Sequence, residues 1–184
     1  MNIDNGWLSD TKLAPTSHFN LRPDGTDVSL LVIHNISLPP GRFGTNLVTP
    51  FFAGELVPGD DPFLRDIADM RVSAHCFIER TGAITQYVSF ADRAWHAGVS
   101  SFQGITNCND FSIGIELEGT DDLEYTDAQY DELTKLTLLI TRTYPNITLG
   151  RIVGHNDIAP GRKTDPGASF DWGRYRMAIS KENA

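Results

Sequence analysis

The sequence predicts a single α/β domain: one central mixed β-sheet packed by a few helices. Three kinds of segment point there, namely two apolar strand-like runs, one strictly alternating segment and one long capped amphipathic helix. Ser29-Leu30-Leu31-Val32-Ile33-His34-Asn35 is aliphatic and β-branched until it turns polar, as a central strand delivering His34 at its end would be. From residue 37 to 70 the pattern dissolves among Pro39-Pro40-Gly41, Pro50 and Pro58-Gly59-Asp60-Asp61-Pro62, too broken for more than short helical turns. So long an irregular stretch inside one domain is expected to border a binding groove. His75 to Glu79 and Ala83 to Val88 flank Arg80-Thr81-Gly82 and read as a hairpin.

Phe111 to Glu118 alternates strictly, with Phe111, Ile113, Ile115 and Leu117 on one face and Ser112, Gly114, Glu116 and Glu118 on the other. Both carboxylates therefore share a face. Thr126-Asp127-Ala128-Gln129 has the spacing of a capping box, and Tyr130, Leu133, Leu136, Ile140 and Tyr144 follow at helical intervals up to Pro145. Arg151 to His155 is a short strand, and Phe170 to Ile179 a weaker amphipathic helix interrupted by Gly173. There is no repeat, linker or low-complexity tract. With 184 residues, 40% of them hydrophobic, the chain can bury one sizeable core and is short for two, so residues 1–184 read as one domain.

Fifteen Lys and Arg against 24 Asp and Glu give a formal charge of −9. A uniformly anionic partner would be repelled, which argues against nucleic acid and an anionic membrane. The opening residues lack a basic and then apolar segment, and no apolar run is long enough to span a bilayer. Cys76 and Cys108 stand far apart in a domain large enough to do without staples, so two buried reduced thiols are expected rather than a disulfide. Together these features suggest the reducing cytoplasm.

Five histidines occur, and a lone histidine is more often structural than a ligand. His34 and His155 differ in that each ends an apolar strand and passes into turn-rich chain, the rim where α/β sheets gather ligands. Pro160 to Gly167 follows an irregular path that can return Asp165 to the strand end holding His155. Two imidazoles and a carboxylate are a known shell for catalytic zinc, with the fourth position left to water. From the residues alone, His75 or His96 can replace either histidine, and Asp165 can instead cap the next helix or form a turn before Pro166. For Glu116 and Glu118 the plain reading is a solvated strand face; it suits Glu118 better, because Gly114 leaves space beside Glu116 like a cleft floor. Lys163 can be a simple surface lysine, and Trp95-His96-Ala97-Gly98 either core or an aromatic lip.

The set Val32-Ile33-His34-Asn35, Ser73-Ala74-His75, Ala94 to Gly98, Asn109 to Glu118, Gly154-His155 and Pro160 to Gly167 resembles the N-acetylmuramoyl-L-alanine amidase family over nearly the whole chain. That family includes amidase-type phage lysozymes and peptidoglycan recognition proteins; within it the sequence looks most like the cytoplasmic enzymes acting on 1,6-anhydro-muropeptides. The resemblance implies a mixed sheet with a zinc groove on one side and one Zn2+ per chain. It implies His34, His155 and Asp165 as ligands, Glu116 as the catalytic carboxylate and Lys163 as the catalytic lysine. His75 and His96 match non-ligand positions, and Asn35, Arg71 and Trp95 fall where relatives line the substrate groove. The implied partner is a small muropeptide, with no obligate protein partner and a monomeric chain, in peptidoglycan recycling. Loss of such an enzyme induces β-lactamase where that circuit exists. Two rivals stand beside it: a glycosidase using Glu116 and Glu118 as acid and base, about 7 Å apart on one strand face, and a module that binds peptidoglycan without cutting it.

Overall fold

A computed structural model describes residues 1–182. The sheet has six strands: β1 (Lys12–Leu13), β2 (Leu30–Ile36), β3 (Cys76–Ile78), β4 (Ile84–Gln86), β5 (Ser112–Glu118) and β6 (Ile152–Gly154), in the order β6-β2-β5-β3-β4-β1. All neighbours are parallel except the β3–β4 hairpin, so the sheet is mixed as expected. Five helices pack around it: α1 (Val48–Ala53), α2 (Pro62–Ile67), α3 (Asp127–Thr143), α4 (His155–Ile158) and α5 (Trp172–Glu182).

The two faces of the sheet divide structure from chemistry. Leu31, Ile33, Ile113, Ile115 and Leu117 enter one core with Tyr130, Leu133, Leu136 and Ile140 of α3 and Tyr175 and Ile179 of α5. The opposite face carries Leu30, Val32, His34, Ser112, Gly114 and Glu116, covered by smaller clusters that include Ala97, Cys108, Val153 and Ile158. This assigns one meaning to the alternation of Phe111 to Glu118 and removes another. All seven residues of β5 are buried, because parallel pairing to β2 and β3 puts the strand at the centre of a sheet covered on both faces.

Glu118 is therefore not the solvated residue expected from the pattern. Its carboxylate accepts hydrogen bonds from the backbone N–H groups of Gly44 (2.5 Å) and Arg80 (3.0 Å), where two loops close over the end of the strand. Charge-assisted bonds of this kind offset the desolvation of a buried carboxylate.

Two further boundaries shift for local reasons. β6 ends at Gly154, so His155 opens α4 instead of ending a strand, and Asp157 accepts from the Gly154 N–H at 2.8 Å to start that turn. α5 begins at Trp172, where the Asp171 carboxylate accepts from the Arg174 N–H at 2.9 Å. The 37–70 stretch carries the two six-residue helices α1 and α2, and Leu38, Phe51, Phe52, Leu56 and Leu64 give it a core of its own against Phe77, Tyr87 and Val88. Cys76 and Cys108 are both buried free thiols. Among the described residues no helix is long and apolar enough to cross a membrane.

α3 starts as its sequence specifies. The Thr126 hydroxyl accepts from the Gln129 N–H at 3.1 Å, the Gln129 side chain accepts from the Thr126 N–H at 3.1 Å, and Thr126 also donates to the Arg80 carbonyl at 2.8 Å. Thr126→Ala removes both hydroxyl bonds and is expected to lower stability by about 1–2 kcal/mol. Urea unfolding measures this; a midpoint equal to that of the unaltered protein would show the cap to be silent.

Candidate functional site

Strand register places the first histidine beside the first carboxylate. β2 and β5 pair with His34 opposite Glu116, and β2 also pairs with β6, which hands the chain to His155 one residue past Gly154. The Pro160 to Gly167 segment then turns back. Asn156 N–H donates to the Asp165 carbonyl at 3.0 Å, and the Tyr125 hydroxyl donates to the Pro166 carbonyl at 2.7 Å, tying the loop to the turn after β6 and to the segment before α3. Gly167 lets it close: φ is +83°, and a Cβ there would lie 2.1 Å from the Asp121 Cα.

His34 Nδ1, His155 Nδ1 and Asp165 Oδ2 consequently form a triangle with edges of 3.0, 3.1 and 3.0 Å. Ligand atoms bound tetrahedrally at about 2.0–2.1 Å would stand roughly 3.3 Å apart. The ring nitrogens on the far sides fix what the triangle presents. His155 Nε2 faces the Ala97 carbonyl at 3.1 Å, an acceptor closer than Arg162 Nη2 at 3.4 Å, which favours the hydrogen on Nε2 and a lone pair at Nδ1. His34 Nε2 faces His96 Nδ1 at 2.9 Å and is free to donate there. In that tautomer two imidazole lone pairs and a carboxylate oxygen converge, an arrangement suited to a cation; without one, a hydrogen on either Nδ1 bridges to Asp165. Burial holds His34 down, to about 4, and so favours its neutral form. Burial also works against ionised Asp165, but the hydrogen bonds from His155 and His34 outweigh it and hold that carboxyl well below the usual range. Among the described residues this is the cluster whose ligand atoms can hold a metal ion, all of them within 4.8 Å of one another.

A cleft of about 670 Å³ opens over the cluster. Glu116 lines it, and its Oε2 is buried without a hydrogen-bond partner. Burial, and next the Asp165 charge, push the Glu116 carboxyl well above its ordinary range, while Lys163 pulls the other way. Lys163 is exposed on the same cleft. Glu118 lies instead in a separate cavity of about 240 Å³ beside Phe77 and Glu79. The acid and base pair a glycosidase needs is thus not assembled, because each carboxylate faces a different space.

Asn35 lines the cleft with its side-chain N–H bonded to Asp121 at 2.8 Å. Trp95 lines it too, its indole N–H donating to Asn20 at 2.6 Å and its ring stacked 5.9 Å from His18. Arg71 is exposed, between the lining residues Met70 and Val72. The 37–70 stretch supplies the apolar wall: Leu38, Phe51, Phe52, Phe63 and Ile67.

The sequence did not announce the layer beneath. His96 fills the space above Gly114, where a Cβ would be 2.4 Å from its ring, so that glycine seats an imidazole rather than floors a cleft. Arg22 donates to the carbonyls of Asn109, Asp110, Phe90 and Ser112, which braces the chain around that layer. Arg162 donates to the carbonyls of Ala97 (2.6 Å) and Val99 (3.1 Å) and joins the Asp165 loop to the His96 segment. A glycine on the polar face of a central strand was the one local signal pointing to this layer.

Known proteins resemble the chain over the span that holds this site. The family model for N-acetylmuramoyl-L-alanine amidase matches residues 24–168. The chain is 54% identical over 182 residues to the 1,6-anhydro-N-acetylmuramyl-L-alanine amidase AmpD of Escherichia coli (strain K12), covering 99% of each. It is 57% identical over 177 residues to that of Haemophilus influenzae (strain ATCC 51907 / DSM 11121 / KW20 / Rd), covering 96% of each. The crystal structure of a selenomethionine AmpD derivative superposes with a TM-score of 0.94 at 55% identity, covering 97% of this chain and 99% of that one.

The buried layer also makes stability depend on pH. His75 accepts the Gly114 N–H on Nδ1 at 3.0 Å, its Nε2 faces the Asp92 carbonyl at 3.2 Å, and burial, helped by the Arg22 charge, holds it down to about 3. In the unfolded chain a histidine protonates near pH 6.5. Between those values the unfolded state binds the extra proton, so stability falls as pH falls, by about 1.4 kcal/mol per pH unit for one full proton. His75→Asn, whose amide oxygen can take the Gly114 N–H, is expected to remove about one proton from that slope. Urea unfolding at stepped pH reads it, and an unchanged slope would contradict the assignment.

Proposed function

The chain belongs to the N-acetylmuramoyl-L-alanine amidase family, and from that premise we propose how its cleft works. It hydrolyses the amide between the lactyl group of 1,6-anhydro-N-acetylmuramic acid and L-alanine in muropeptides, the activity carried by its full-length relatives. The proposal concerns how: His34, His155 and Asp165 hold one zinc ion, Glu116 handles the proton, and Lys163 stabilises negative charge. The observation that carries it is the triangle of converging ligand atoms next to a buried carboxylate oxygen with no hydrogen-bond partner.

Zinc bound there supplies Lewis acidity, which makes water acidic near neutral pH and polarises a carbonyl. The two histidines and Asp165 hold that charge at the cleft floor. Glu116 has no partner for Oε2 and sits in register with His34, so it can take a proton from the attacking water and return it to the departing alanine nitrogen. The lysine ammonium acts across the cleft, near enough for its charge to be felt at both Glu116 and His34, and it offsets the oxyanion that forms as the carbonyl is attacked. The apolar wall of Leu38, Phe51, Phe52 and Phe63 excludes water and packs the ring face of the sugar. Asn35, Trp95 and Arg71 are the groups we assign to orienting substrate around it.

We place the enzyme in the cytoplasm, acting on turnover fragments in peptidoglycan recycling, as a monomer with no obligate protein partner. An acidic chain with two free buried thiols suits a reducing compartment and a small soluble substrate. Where a muropeptide-responsive β-lactamase circuit exists, loss of this activity would raise its inducer.

Mass spectrometry of a purified anhydromuropeptide incubated with the zinc-loaded protein is expected to show free stem peptide and intact anhydro sugar. Glu116→Gln should keep its zinc and lose roughly 10²–10⁴ in kcat. Full turnover by that variant, or undiminished cleavage after a chelator has withdrawn the metal, would overturn the mechanism. Lys163→Ala is expected to lose about 10²–10³ in kcat with little change in KM; a rise in KM alone would make Lys163 a substrate-binding group instead.

A further inference from the structure

His96 is fully placed from both ends although it is not in the acceptor triangle. Its Nδ1 lies 2.9 Å from His34 Nε2, and its Nε2 lies 3.0 Å from the Ser112 hydroxyl. Its own N–H and that of Ala97 both donate to Asn109 Oδ1, at 3.1 and 2.7 Å, which fixes the backbone carrying the ring. β5 gives up a side chain at Gly114 to seat it. We propose that His96 is a positioning residue: it holds the hydrogen of His34 on Nε2, and thereby sets how tightly the cluster of His34, His155 and Asp165 holds its metal ion.

The direction of the hydrogens follows from the acceptors. For His34 to offer a lone pair at Nδ1, its one hydrogen must sit on Nε2, and it needs a buried acceptor there. A neutral imidazole is an acceptor at one nitrogen only. His96 accepts at Nδ1 if its own hydrogen is on Nε2, and the Ser112 hydroxyl oxygen receives that hydrogen. The chain of donors therefore runs from His34 through His96 to Ser112. His155 has a different support, the carbonyl of Ala97 at 3.1 Å, an acceptor that lies closer to Nε2 than the Arg162 guanidinium at 3.4 Å. His34 depends on an imidazole, which can donate as well as accept, and that makes His96 the adjustable part of the site. Partners of ligand imidazoles are worth about 10–100-fold in metal affinity.

The inference rests on reading the triangle as the metal site, and the test separates the two. Zinc-loaded protein is titrated with a competing chromophoric chelator, which reads zinc affinity without reference to turnover. His96→Leu keeps bulk but has no acceptor, and is expected to bind zinc about 10–100-fold more weakly. His96→Asn places an amide oxygen near the position of Nδ1 and is expected to recover affinity to within about a few-fold of the unaltered protein. Equal affinity in His96→Leu and the unaltered protein would overturn the proposal, and so would an equal loss in the Leu and Asn variants, which would mean that ring shape alone matters. If His96→Leu does not fold, Ser112→Ala decides: it leaves the ring in place and removes the acceptor that orients it. A several-fold loss of zinc affinity supports the proposal and no loss overturns it. An unaltered protein that binds no zinc would instead overturn the metal site itself.

Discussion

Two buried imidazole nitrogens and a half-buried carboxylate oxygen, each within 3.1 Å of the others, are the constraint on which this structure depends. In the tautomer that presents both lone pairs, these and the carboxylate repel, and the low dielectric of the interior magnifies that repulsion. The fold nevertheless holds them together from three directions: a central strand, the turn after an edge strand, and a loop tied back by Asn156 and Tyr125. A cation bound there would recover the stability given up at this point.

The rest of the cleft follows from that centre. Parallel register fixes Glu116 one strand away from His34, so the carboxylate we propose moves the proton is held by the same hydrogen-bonded ladder as the imidazole we propose holds the metal. The opposite face of the sheet, packed by α3 and α5, contributes rigidity and no chemistry. The 37–70 stretch has a small core of its own, so the apolar wall it lends the cleft is preformed rather than assembled around the substrate.

What was legible in the sequence was local. The runs that became β2, the β3–β4 hairpin and β5 announced themselves through periodicity, and α3 through periodicity plus a two-sided cap, all within a few residues of chain. What was not legible depended on distant partners. Nothing near Glu118 reveals that loops around residues 44 and 80 will cover it. Gly114 marks a space on the strand face, but nothing near it reveals that an imidazole 18 residues earlier fills that space. The sequence alone left four imidazoles competing for two ligand positions, and family resemblance chose His34 and His155. The geometry supplies a physical ground for that choice, because His75 and His96 spend their ring nitrogens on Gly114, Asp92, His34 and Ser112.

Zinc X-ray absorption on the metal-loaded protein tests the central claim most directly. The expected first shell has two imidazole nitrogens and carboxylate or water oxygens at about 2.0–2.2 Å, and His34→Ala should leave a single imidazole or no bound zinc. A shell containing three imidazoles, or one that keeps two after His34 is removed, would contradict the assignment.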